Sequence, residues 1–142
     1  MERRLKGTLR RTGLVAAAAA TALLASAGVA SAAARGAATA YGPEVYGSAN
    51  WQWTTTGWTD GNAAVRDTLC DGKNAYVHFE VRFNGVVVPT KDRKDPDGCD
   101  PTDGYWSGLT YDAGYYVGAV RVVTCIDGGR CYYSPWQDNP LT

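Results

Sequence analysis

The chain has one histidine, His78, and after residue 32 only two glutamates, Glu44 and Glu80. A Ser-His-Asp or Cys-His centre would have to rest on that single imidazole. A carboxylate pair for glycoside hydrolysis would have to use those glutamates or aspartates in turn contexts such as Asp71-Gly72 and Asp127-Gly128. No Gly-x-Ser-x-Gly elbow and no Cys-x-x-Cys pair occurs, which removes the usual serine-hydrolase signature and the commonest zinc spacing. After residue 33 no segment repeats apolar residues at i, i+3, i+4 and i+7, so an amphipathic helix is not expected. No internal repeat is visible, which argues against a propeller or solenoid.

Long apolar runs are scarce as well. The one present, Leu14 to Ala30, follows Arg3, Arg4, Lys6, Arg10 and Arg11 and precedes Ala30-Ser31-Ala32. A basic stretch, an apolar stretch and a small-residue cleavage site read as a secretory signal over residues 1–32. Its removal takes five of the 14 basic residues and one of the 14 acidic ones, leaving a net charge of about −4. Such a chain lacks the basic face that a nucleic-acid partner requires, and its remaining segments offer no membrane span. The expected location is outside the cell.

Aromatics and cysteines are plentiful by contrast. All five Trp, nine Tyr and two Phe lie after residue 40, too many for a disordered chain. Cys70, Cys99, Cys125 and Cys131 all follow the signal, and four cysteines in an exported chain point to two disulfides. Three pairings are open. Cys125–Cys131 is favoured because the two bracket Asp127-Gly128-Gly129, a turn signal that sets them across a hairpin. Cys70–Cys99 then follows by elimination.

The clearest strand is Ala75 to Phe83, with Val77, Phe79, Val81 and Phe83 on one face and Tyr76, His78, Glu80 and Arg82 on the other. Asn84-Gly85 suits a type I′ turn into Val86-Val87-Val88. Trp51 and Trp53 share a face of a short strand, residues 62–70 form another with Ala63, Val65 and Leu69 inward, and Tyr115 to Ile126 reads as a central strand. Trp136 in the irregular tail is expected to pack back. The fold class is therefore all-β: a small disulfide-stapled antiparallel sandwich or barrel of residues 51–142, preceded by an extended or flexible N-terminal segment over residues 33–50.

Residues 92–103 hold Asp92, Asp95, Asp97, Asp100 and Asp103. Their spacing departs from an EF-hand loop, and solvated turn residues are the expected reading, with no metal and no cofactor. Trp51, Trp53 and Trp58 could stack on a saccharide, but strand alternation already explains them as core.

The run Val65-Arg66-Asp67-Thr68-Leu69-Cys70-Asp71-Gly72-Lys73-Asn74-Ala75-Tyr76-Val77-His78-Phe79-Glu80-Val81-Arg82, followed by Val120-Arg121-Val122-Val123-Thr124-Cys125 and Cys131, resembles small secreted four-cysteine actinomycete proteins. Some of these look like the adaptor subunit of umbrella toxin particles, antibacterial assemblies exported by streptomycetes. The resemblance implies a non-catalytic β-domain bridging two partners: a large repeat-bearing toxin stalk, and a lectin subunit carrying a degenerate trypsin-like domain. It also implies that the N-terminal segment, here about Ala37 to Tyr46, lies in a partner's cleft. Tyr41, Pro43, Val45 and Tyr46 are the expected partner-binding residues, since an extended peptide adds backbone bonds and places alternate side chains in pockets. Two other functions are open from the sequence. One is inhibition of an extracellular hydrolase by a Trp or Tyr loop. The other is a small cell-wall hydrolase using Glu80 and His78.

Overall fold

Alternation of large apolar and polar residues over 75–83 builds the central strand of the molecule. In a computed structural model that describes residues 33–95 and 103–142, this strand is β4 (Ala75–Phe83), and Ala75, Val77, Phe79 and Val81 on its inner face are at most 1 % exposed. Asn84 and Gly85 follow at φ 47° and 77°, the left-handed pair of a type I′ turn. They lead into β5 (Val86–Pro89). On its other side β4 pairs antiparallel with β8 (Ala119–Ile126) over eight residue pairs, from Ala75↔Ile126 to Arg82↔Ala119. Short strands β6 (Arg93–Lys94), β9 (Cys131–Tyr133) and β10 (Gln137–Asp138) finish this sheet, β6 on β4 and the other two on β8.

The second layer is a four-stranded antiparallel sheet in the order β1 (Arg35–Tyr41), β2 (Val45–Thr54), β3 (Gly57–Asp67) and β7 (Gly104–Asp112). Neither sheet closes on itself, so of the two expected architectures the sandwich is the one formed. Its core is aromatic from one side and branched-aliphatic from the other. Trp51 meets Phe79 edge-on at 5.8 Å, and Trp58 lies 4.8 Å from both Phe79 and Tyr111. Trp51, Trp53 and Trp58 are 2 %, 5 % and 2 % exposed, so they are core and not a saccharide platform. Each fully buried Val or Phe here contributes roughly 1.5–3 kcal/mol against exposure.

The expected boundary at residue 51 is corrected. Residues 35–41 and 45–54 are strands of the first sheet, paired over seven consecutive positions from Arg35↔Gln52 to Tyr41↔Tyr46. Small residues make this possible. A Cβ on Gly36 would fall 2.2 Å from the Trp51 ring, so the strand can cross the indole only where no side chain intervenes. Thr68 then ties down the β1–β2 turn, its N–H donating to the Glu44 carbonyl and its hydroxyl to the Pro43 carbonyl, both at 3.0 Å.

Two further expectations are corrected. Leu69 is 52 % exposed, because β3 ends at Asp67, whose Oδ1 accepts the Leu69 and Cys70 amides and turns the chain. Tyr115 and Tyr116 precede β8 and do not belong to it, since Val117 N donates to Thr55 O and Gly118 N to Arg82 O before the ladder begins. Among the described residues no helix is long and apolar enough to cross a membrane.

Candidate protein-binding face

Cys125 and Cys131 face each other across β8 and β9 and form the expected disulfide. Cys70 is also disulfide-bonded, and its expected partner Cys99 lies outside the described residues. The short bridge fixes β9 against β8 and so holds Tyr133 opposite Val123 on the outer face of the second sheet.

That face carries a cluster of stacked arginines and aromatic rings. Glu80 and Arg121 are opposite each other on β4 and β8, with Arg121 Nε and Nη2 both 2.6 Å from Glu80 Oε2. The Arg121 guanidinium carbon lies 4.4 Å from the centre of the Tyr133 ring and 4.6 Å from that of Trp136. Arg82 also lies over Trp136, at 4.7 Å, and reaches Asp138 at 3.4 Å. Two guanidiniums and two rings therefore form one cation–π cluster, oriented by two carboxylates. Planar stacking limits the rotamers of four large side chains, which lowers the entropy lost in any contact they make.

The same face continues toward β6. Tyr76 and His78 stack at 6.4 Å, and Lys94 sits 5.8 Å from the Tyr76 ring. His78 Nδ1 is 3.1 Å from Asp92 Oδ1, close enough for an ion pair when the ring is protonated but without hydrogen-bond alignment. Glu80 and His78 thus share a face, as the cell-wall-hydrolase reading requires, with Glu80 bound to Arg121 and His78 beside Asp92.

The residues expected to bind a partner divide. Tyr41 and Tyr46 face each other across the β1–β2 pair and are 72 % and 43 % exposed, and Pro43 is exposed in the turn between them. Val45 is 0 % exposed and belongs to the core, so it is a packing residue and not a contact. Of the aspartates in the charged loop, Asp97 and Asp100 lie outside the described residues. Asp103 pairs with Arg66 and Asp95 is buried with its amide bonded to Ala75 O. Among the described residues no group of three or more His, Cys, Asp or Glu is placed to hold a metal.

The cluster of Arg82, Arg121, Tyr133 and Trp136 is what sequence reasoning missed. Strand alternation puts Arg82 on the polar face of β4, but Arg121 falls in a strand that reads as apolar on both faces, and nothing in the linear order ties either arginine to a tail tryptophan. No family model matches the chain, and neither a curated protein nor a solved structure matches it significantly.

Proposed function

We propose that the chain is an exported binding protein that acts by protein–protein contact, and that its role is the adaptor role the four-cysteine resemblance implies, linking a toxin stalk to a lectin-type subunit. The observation that carries the binding reading is the cation–π cluster on the second sheet. Arg, Trp and Tyr are the residues that dominate interface energetics when held rigid at the centre of a patch, and here Arg121 is fixed between two rings and a carboxylate. The disulfide-braced sandwich supplies the stiff support such a patch needs.

Affinity purification from culture supernatant tests it. The wild-type chain is expected to bring down large exported proteins, and Trp136→Ala to lose at least one of them while keeping the wild-type melting temperature within a few degrees. Unchanged recovery of every partner by Trp136→Ala and by Arg82→Ala would exclude this face.

A second reading, inhibition of an exported hydrolase, draws on one observation. Tyr116 is 73 % exposed in the loop between β7 and β8, beside Tyr115 at 43 %. Stoichiometric loss of activity across a panel of proteases and amylases, abolished by Tyr116→Ala, would favour it.

A further inference from the structure

The outer edge of β1 is an unpaired backbone template. Trp53 N donates to Ala34 O, and Gly42 N to Val45 O, so the even-numbered residues of this strand exchange bonds with β2. The N–H and C=O groups of Arg35, Ala37, Thr39 and Tyr41 point the other way, and none of them has a partner among the described residues. Every other sheet edge among the described residues is blunted. Strand β7 is broken by two register shifts against β3. Strand β5 spans four residues and ends on Pro89, and β6, β9 and β10 span two, three and two. Strand β1 has seven residues in unbroken register and no proline, bulge or inward charge. Exposed edges of this kind recruit another strand.

We propose that the strand recruited is β1 of a second copy, antiparallel about a two-fold axis at Ala38, so that two four-stranded sheets merge into one of eight strands. The register follows from parity. Placing Ala38 opposite itself sets Arg35 opposite Tyr41, Ala37 opposite Thr39, and the reciprocal pairs. All eight groups that point outward on each strand then meet outward groups on the other. A one-residue slip sets outward groups against inward ones, and a two-residue slip leaves the ends unpaired.

Side chains select the same register. Arg35 is exposed and has neither an acidic nor an aromatic partner among the described residues, and Tyr41 at the far end of the strand is 72 % exposed with no ring partner. Both project from the outer face. In the symmetric pair each guanidinium comes opposite the partner copy's tyrosine ring, a cation–π contact made twice. The only charge on the strand thereby meets an electron-rich face, and no like charges are opposed. A foreign strand gains the backbone bonds but not this reciprocal end matching. The pairing is independent of the cation–π cluster on the other sheet.

Sedimentation of the exported chain over a concentration series tests the pairing. A reversible monomer–dimer equilibrium with Kd at or below about 100 µM is expected. Ala37→Pro deletes an N–H that β2 does not use, so near-UV circular dichroism should persist while the dimer is lost. Arg35→Ala and Tyr41→Ala are surface changes that leave the fold intact, and each should raise Kd about 5- to 30-fold, since each removes both cation–π contacts of the dimer. Three results would overturn the assignment: a wild-type monomer at about tenfold that concentration, a folded Ala37→Pro chain that dimerises like wild type, or a monomeric wild type whose β1 variants lose a heterologous partner.

Discussion

The methyl of Thr124 occupies the space above Gly47: a Cβ on that glycine would lie 1.9 Å from Thr124 Cγ2. Thr124 belongs to β8 and Gly47 to β2, so the two sheets meet here at backbone distance. The threonine hydroxyl also donates to Ala40 O at 3.1 Å, making a buried polar link to β1. One residue therefore sets the spacing of the layers at the end where β1 and β2 turn.

Gly47→Ala should cost roughly 1–3 kcal/mol, because the added methyl has no room and the layers must part. Thr124→Ser keeps the hydroxyl and removes the obstructing methyl. In denaturant unfolding the double variant should be more stable than the sum of the two single changes by about 1 kcal/mol or more. Strict additivity would show that the contact is relaxed by other means.

Removing Arg121 should destabilise the fold more than removing Trp136. Its partner Glu80 has only 16 % of its side chain exposed, and Arg121→Ala strands that carboxylate on a half-buried face, at a cost of about 3 kcal/mol. Arg121→Met with Glu80→Leu removes both charges and should recover most of the loss. Thermal melts of the three variants check the order, and equal losses for Arg121→Ala and the double change would contradict it.

Reduction of the Cys125–Cys131 bridge should act on both stability and binding. Closing so short a loop contributes about 2.4 kcal/mol if chain entropy dominates. Strand β9 pairs with β8 over three positions and is tied again by Ser134, whose N–H donates to Val122 O and whose hydroxyl accepts from Val122 N, so without the bridge Tyr133 is held over Arg121 from one end only. A Cys125→Ala, Cys131→Ala chain should melt roughly 10 °C or more lower and bind partners more weakly. Wild-type affinity in that chain would show that Tyr133 is held by other contacts.

What could be read from the sequence follows residue size. Strand β4 was legible because Val77, Phe79 and Val81 alternate with Tyr76, His78 and Glu80, and the Asn84-Gly85 turn and the Cys125–Cys131 hairpin carry local signals that need no tertiary context. Strand β1 was not legible because its inward positions are Gly36, Ala38 and Ala40, too small to register as an apolar face. Strand β7 escaped for a related reason: the register shifts leave Trp106 and Leu109, three residues apart, both packed against the core, and period two is lost. The aromatic–arginine cluster draws one residue each from β4, β8 and β9 and one from the tail, a juxtaposition that only the packed sheet creates.

The pair of Lys94 and Asp127 should shape the pH profile at both ends. Lys94 Nζ lies 3.0 and 3.1 Å from the two Asp127 oxygens. That hydrogen bond holds the Asp127 carboxyl below its ordinary value of 3.8 and raises the Lys94 ammonium above 10.5. A lowered carboxylate contributes its full stabilisation above 3.8 and loses it as the pH falls through the lower folded value. A raised lysine contributes fully below 10.5 and loses it as the pH rises through the higher folded value. Tyr76, raised above 10.0 chiefly by burial, adds to the alkaline loss with the same sign. Melting temperature should therefore be flat with respect to these groups between the two limits. Both charges of the pair are exposed, so added salt should shrink both limbs. Lys94→Gln should flatten the acid limb as well as part of the alkaline one, whereas Tyr76→Phe should affect the alkaline limb alone. An acid limb that is unchanged in Lys94→Gln would mean that Asp127 gains nothing from its partner in solution.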